Sequence, residues 1–173
     1  MIIVVTPCRP HPHRGIVTFG TERHDCVLGR SGVRTIKIEG DGATPAGRFP
    51  LRRLLYRADR LAAPITALPI GVIAPDDGWC DAPGDAAYNR PVKLPYPAST
   101  ESMMRTDHLY DLVVIVGHND DPVIAGAGSA IFIHVAPPDG APTAGCVGLA
   151  QPALLALLGA VDRTSVLEIR PAP

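Results

Sequence analysis

Short apolar segments separated by proline and glycine are the feature that most constrains the fold of this chain. The segments are three to six residues long and rich in β-branched residues, which is typical of strands and too short for stable helices. They are residues 2–5, 15–19, 26–28, 33–38, 112–116, 130–135 and 165–169. Because 19 prolines and 17 glycines supply turns between them, the sequence predicts a mainly β protein.

The pattern within the segments indicates how the strands pack. Residues 112–116 and 131–133 are continuous apolar runs, which favours strands covered on both faces, whereas residues 36–39 alternate as a half-buried strand does. We therefore predict a mixed β-sandwich or distorted barrel with one or two short helices, at residues 151–160 and 99–104. Residues 68–99 lack a clear period and predict a long ordered loop, a type of segment that often carries function.

Length and charge limit the class of protein. A chain of 173 residues without a linker, repeat or block of like charge predicts a single domain over residues 1–173, and we expect a monomer. Sixteen basic and 17 acidic residues give a net charge of −1, which argues against nucleic-acid binding. No apolar run approaches the roughly 20 residues of a membrane-spanning helix, so no membrane span is expected.

The cysteines and histidines do not predict a metal site. The four cysteines are widely spaced without a CxxC pair, so neither a zinc ribbon nor a dithiol redox motif is indicated. His118, His134 and Cys146 are distant in sequence, and without a known geometry they do not amount to a ligand set. We expect neither a metal nor an organic cofactor.

A histidine after a strand and a cysteine in a glycine-flanked turn are the residues that suggest chemistry. His134 ends an apolar segment, and Cys146 follows Gly145 shortly before the predicted helix. A neighbouring imidazole can accept the proton of a thiol and make it a usable nucleophile, and amides near Gly145 can donate to an oxyanion. Spacing alone leaves open the alternative that Cys146 is a small buried apolar residue and His134 a core histidine.

A second motif precedes this pair. Residues 39–49 read EGDGATPAGRF, and taken alone they are turn residues of a hairpin corner. Together with the later His134 and Gly145–Cys146, this segment resembles the L,D-transpeptidase catalytic domain family (YkuD-like), whose members carry a similar GDGxTPxGxF turn before a histidine and a GC turn. The chain is most similar to the stand-alone branch, in which segments like DDGWCD (76–81) and YNRPV (88–92) also occur. The resemblance covers about residues 14–169.

The resemblance implies a reaction and roles for these residues. Cys146 would be the nucleophile, His134 its general base, and the Gly145–Cys146 backbone part of the oxyanion hole. The enzyme would attack the carbonyl of the diamino acid at the third position of a peptidoglycan tetrapeptide stem, expel the terminal D-alanine and pass the acyl group to an amine. It would need no cofactor. With water as the acceptor, the same site would be an L,D-carboxypeptidase.

The chain departs from the family motif at two positions. Many members have Ser-His-Gly-Cys followed by a hydrophobic residue and Arg, whereas this chain has Ala144 and Gly148 at the positions of the second His and the Arg. Ala144 still offers a backbone amide to the substrate. Arg90 and His118 are candidates to replace the missing cation and imidazole.

Two further residues are candidates for substrate binding. Trp79 is the only tryptophan and stands beside several aspartates, which suits a glycan or a peptide stem bearing amines. The alternative is that its ring closes the loop onto the sheet. Asn89 belongs to the YNRPV segment of the stand-alone branch. The resemblance implies the cell envelope or periplasm, although no signal peptide is visible in this chain.

Three other functions remain open. The first is a hydrolase that uses the same site with water as acceptor. The second is a catalytically silent peptidoglycan-binding module, which the departures at Ala144 and Gly148 make plausible. The third is a cytosolic cysteine enzyme with an unknown acyl substrate.

Overall fold

The computed structural model describes residues 1–171. In chain order its elements are β1 (Ile2–Pro7), β2 (Arg14–Phe19), β3 (Glu22–Val27), β4 (Val33–Arg34), β5 (Thr44–Pro45), β6 (Gly47–Tyr56), β7 (Ile70–Val72), β8 (Asp77–Cys80), β9 (Pro91–Lys93), β10 (Thr100–Ser102), β11 (Leu112–Val116), β12 (Phe132–Val135), β13 (Val147–Leu149), α1 (Gln151–Ala160) and β14 (Val166–Ile169). The predicted mainly β class is confirmed, as is the helix at 151–160. No helix in this described range is both long and apolar enough to cross a membrane.

Eight strands close into a distorted barrel. Their order is β11-β12-β13-β3-β2-β1-β14-β6, and β6 pairs back with β11. The ring closes because β6 is ten residues long: residues 47–50 pair with β14, and residues 51–56 pair with β11. The β1–β14 and β12–β13 pairs are parallel, so the sheet is mixed.

Strand β11 is buried on both faces, as its continuous apolar run predicts. Its inward residues, such as Val114, join the main core together with Leu154 and Leu157 of α1. Its outward residues, such as Ile115, join a smaller cluster with Trp79 of the three-stranded sheet β10-β8-β9. This small sheet therefore covers the barrel wall on which the candidate site lies.

Two predictions of secondary structure were wrong. Residues 99–104 form no helix, because Thr100–Ser102 pair as β10 with the edge of β8. Residues 35–38 form no strand: Ile36 and Ile38 are 77% and 60% exposed. The side chain that points inwards is that of Lys37, which forms an ion pair with Asp41. Side chains in this segment do alternate between covered and exposed. The covered side chain, however, is that of the charged Lys37, whereas the two isoleucines are exposed.

The longest strand was missed by the sequence analysis. Pro50, Arg52 and Arg53 interrupt the apolar pattern of β6. Ile115 of β11 faces Arg53, and the next residue, Val116, faces Leu51. Arg52 is thus the extra residue of a β-bulge, which the pattern of apolar residues does not reveal. The predicted loop at 68–99 is ordered but contains β7, β8 and β9.

Candidate active site

The fold brings Cys146 and His134 to the wall of one cavity of about 390 Å³. Side chains alternate along β12, so Ile133 points into the barrel core while Phe132 and His134 point to the opposite face. Cys146 directly precedes β13, the parallel neighbour of β12. The parallel pairing therefore places the cysteine turn beside the histidine.

The thiol of Cys146 is buried and protonated in the resting protein. The residue is 7% exposed. Its Sγ donates to the carbonyl of Ala130 at 3.2 Å and accepts from the amide of Phe132 at 3.4 Å. Burial, followed by the negative charge of Glu101, raises the pKa of the thiol to about 12. A thiol with this pKa is not a thiolate near pH 7, so it could act as a nucleophile only with the help of a base.

His134 has the protonation state that such a base requires. Its Nδ1 lies 2.8 Å from the carbonyl of Val135. Because a carbonyl only accepts hydrogen bonds, Nδ1 carries the proton of the neutral ring and Nε2 keeps its lone pair. Burial lowers the pKa of His134 to about 4, so the ring is neutral near pH 7. The proton of the Cys146 thiol is directed at the carbonyl of Ala130 and not at this imidazole.

The backbone of the cysteine turn packs closely against the carbonyl of Ala43, which a glycine at position 145 permits. Gly145 has φ = +144°, and a Cβ there would lie 2.8 Å from the carbonyl oxygen of Ala43. Its amide donates to Thr143 Oγ1 at 3.1 Å, and that hydroxyl donates to the carbonyl of Cys146 at 2.8 Å. The Gly145 amide is therefore engaged within the turn. The amides of Ala144 and Cys146 have no hydrogen-bond partner among residues 1–171.

The motif at residues 39–49 supports this turn directly. Thr44 Oγ1 accepts from the amide of Gly29 at 2.8 Å and donates to the carbonyl of Cys146 at 3.4 Å. The segment is not a hairpin corner, since β4 and β5 pair in parallel. Its role is to hold the cysteine turn in place.

We expect Thr44→Val to destabilise the protein by about 1–3 kcal/mol, because the buried amide of Gly29 would lose its partner. Urea unfolding measures the change. The matched control is Thr35→Val, at an exposed threonine, which should leave the free energy of unfolding unchanged. Equal stability of the two variants would contradict a supporting role for Thr44.

The cavity wall beside His134 contains three residues that the sequence analysis did not identify, Tyr110, Glu101 and Arg105. The rings of Tyr110 and His134 pack edge to face, with the ring centroids 5.4 Å apart. The Tyr110 hydroxyl donates to Glu101 at 2.6 Å, and Arg105 lies 3.7 Å from the same carboxylate. Burial raises the pKa of the Glu101 carboxyl. Glu101 was hidden because its segment was interpreted as a helix, and Tyr110 belongs to no motif.

We expect Glu101→Gln to lower the pKa of Cys146, because the negative charge of Glu101 raises it. The larger fraction of thiolate should make alkylation of Cys146 by iodoacetamide faster at pH 8. Peptide mass spectrometry measures the rate at this cysteine. Glu39→Gln, which removes another carboxylate from the cavity wall, is the control. Slower alkylation in Glu101→Gln would contradict the prediction.

The structure brings only some of the predicted binding residues to this cavity. Ala144 lies on its wall and is exposed. Trp79, Asn89 and Arg90 instead line a second cavity behind Phe132. His118 lines neither cavity, and its Nε2 bonds to the carbonyl of Ala127 at 3.0 Å.

Asn89 is engaged entirely within the protein. Its Nδ2 donates to the carbonyls of His118 and Asn119, at 3.0 and 2.8 Å. Its Oδ1 accepts from the indole of Trp79 at 3.0 Å and from the amide of Ala130 at 3.1 Å. Since the Ala130 carbonyl binds the thiol, Asn89 acts on the site by positioning Ala130.

The missing cation of the family motif is explained by packing. A Cβ at Gly148 would lie 2.5 Å from Cγ2 of Val27 on the neighbouring strand, so no larger side chain fits there without rearrangement. The cations that do line the Cys146 cavity are Arg30, Lys37 and Arg105. Within residues 1–171 no group of three His, Cys, Asp or Glu is arranged to hold a metal ion, and all four cysteines are free thiols.

The fold and the site together define a mainly β barrel domain with a thiol and a neutral imidazole in one polar cavity. The family model of the L,D-transpeptidase catalytic domain (YkuD) matches residues 14–169. The protein therefore belongs to this family, which acts on peptidoglycan. A search of curated proteins finds no match. The family assignment confirms the resemblance seen in the sequence motifs.

Proposed function

We propose that this protein is a cysteine-dependent L,D-transpeptidase that acts on peptidoglycan tetrapeptide stems in the cell envelope through a thioester acyl-enzyme. The observation that carries the proposal is that Cys146 and His134 share one cavity in a chain of this family. The neutral state of the imidazole, with Nε2 as its free acceptor, supports the same role.

The first half of the reaction forms the acyl-enzyme. Cys146 Sγ attacks the carbonyl of the third stem residue while its proton passes to Nε2 of His134. The amides of Ala144 and Cys146, which have no hydrogen-bond partner within residues 1–171, stabilise the oxyanion. The bond to D-alanine then breaks, and His134 returns the proton to the leaving amine. A thioester on Cys146 remains.

The second half transfers the acyl group. The acceptor amine attacks the thioester, His134 takes the amine's proton, and the thiolate leaves and is reprotonated by His134. No cofactor enters these steps. Water as the acceptor gives the L,D-carboxypeptidase alternative by the same route.

The charges of the cavity suit a stem peptide. Three acidic residues, Glu39, Asp81 and Glu101, line it with three basic residues. One oxygen of Asp81, Oδ1, is buried without a hydrogen-bond partner in the described part of the chain. The amine groups of a substrate can pair with the acidic residues of the wall, and its carboxylates can pair with the basic residues. A purely apolar acyl group would leave both sets of residues unpaired.

Intact-mass spectrometry after incubation with a carbapenem, an acylating mimic of the substrate, tests the nucleophile and the oxyanion hole. One adduct per chain is expected. No adduct on protein whose thiol is shown to be free would contradict the proposal and favour a silent peptidoglycan-binding module.

Turnover of a disaccharide tetrapeptide then separates the acyl acceptors. Release of D-alanine with a cross-linked dimer is expected for a transpeptidase. Release of D-alanine without a cross-linked product would favour the hydrolase.

A further inference from the structure

The second cavity, about 440 Å³ in volume, lies outside the proposed catalytic chemistry. Its floor is apolar and includes Met103, Ile115 and the Trp79 and Phe132 rings, which pack edge to face with centroids 5.2 Å apart. Ile131 lines this cavity and the Cys146 cavity, whereas Cys146 lines only the first. A volume in this range suits a small organic ligand.

The β-bulge of β6 builds the rim of this cavity. In a regular strand, neighbouring side chains point to opposite faces. Because Arg52 is the extra residue of the bulge, Arg52 and Arg53 are both exposed, and both line the second cavity. Arg90, next to β9, adds a third guanidinium to the rim.

The rim carries more positive charge than the protein neutralises. Arg52 is bound by Asp120 through two hydrogen bonds of 2.7 and 3.1 Å, and Asp77 is paired with Lys93. In the part of the chain that the structure describes, Arg53 and Arg90 have no carboxylate within 4.0 Å. Two guanidiniums thus face an apolar floor without a partner.

We propose that the second cavity binds a small organic anion that has a carboxylate or phosphate head and an apolar body. The forked guanidiniums of Arg53 and Arg90 match the planar geometry of such a head. The apolar body covers the remaining exposed surface of Trp79 and Ile115, which are 9% and 6% exposed. This inference is independent of the reaction proposed for Cys146.

Trp79 reports on the cavity, since it is the only tryptophan of the chain. Titration with octanoate or octyl phosphate is expected to give a saturable change in its fluorescence. Arg53→Gln and Arg90→Gln are each expected to weaken binding of at least one probe. The expected decrease in affinity is roughly tenfold, because each variant loses a charge-assisted hydrogen bond to the head group. The comparison of the two probes identifies the head group.

Three controls make the test decisive. Arg163→Gln, at an exposed arginine after α1 that does not line the cavity, should leave the dissociation constant within a factor of about two, as expected of a remote surface change. Cys146→Ala should bind the probes as the unchanged protein does, because the thiol is in the other cavity. Circular dichroism checks that each variant is folded.

Three outcomes would overturn the inference. The first is the absence of a saturable change with both anionic probes. The second is binding that neither Arg53→Gln nor Arg90→Gln weakens. The third is equal binding of octylamine, which has a similar apolar body but the opposite charge. None of these outcomes bears on acylation of Cys146, so the two proposals fail separately.

Discussion

Replacing Cys146 with alanine is expected to abolish both the carbapenem adduct and the release of D-alanine. Among the described residues that line the cavity, only Cys146 has a thiol, and the proposed reaction has no other acyl acceptor in the protein. Because alanine fills most of the space of a buried cysteine, the fold should persist. Intact-mass spectrometry and D-alanine release measure the loss, and thermal unfolding confirms that the variant is folded.

Cys8→Ala is the matched control for this experiment. Cys8 is also a free thiol and is less buried than Cys146, so it is the more accessible to a non-specific acylating agent. Its variant should keep one adduct per chain. An adduct that persists in Cys146→Ala, or that disappears in Cys8→Ala, would show that acylation occurs at another site.

Replacing His134 with glutamine is expected to slow acylation by roughly 10²- to 10⁴-fold, the usual contribution of a general base. Glutamine is polar and similar in length, but it cannot accept the thiol proton. The rate of adduct formation measures the effect. His24→Gln, on β3 and away from the cavity, should react at the rate of the unchanged protein. A rate in His134→Gln within a factor of a few of that value would remove His134 from the mechanism.

The same histidine sets the expected pH dependence. Its pKa is lowered to about 4, and only the neutral ring can accept the proton of Cys146. The acylation rate should therefore stay level as the pH falls from 7 to 5 and decrease only as it approaches 4. A decrease centred near 6.5, the ordinary value for histidine, would mean that the imidazole is solvated during the reaction.

Local sequence determined much of the fold. The continuous run at 112–116 specified a strand buried on both faces, and β11 is one, because an apolar segment of this length is stabilised only when both faces are covered. The stripe of leucines at 151–160 likewise specified α1. The choice of Cys146 and His134 as candidate residues also came from local motifs, since each residue stands in a short stretch that resembles a motif of the family.

The tertiary structure decided what distant residues do to one another. Glu101 lies at the site because β10 pairs with β8, and the pattern of apolar residues around Glu101 does not predict this pairing. Arg53 was not recognised as part of a strand, because a bulge breaks the alternation on which strand prediction depends. Arg90 was assigned to the substrate of Cys146, but the folded chain places it in the second cavity. The sequence by itself thus determined strand β11, helix α1 and the choice of Cys146 and His134 as candidate residues, because each is encoded within a few residues. Pairing between distant strands decided which charges surround the pair and that a second cavity exists.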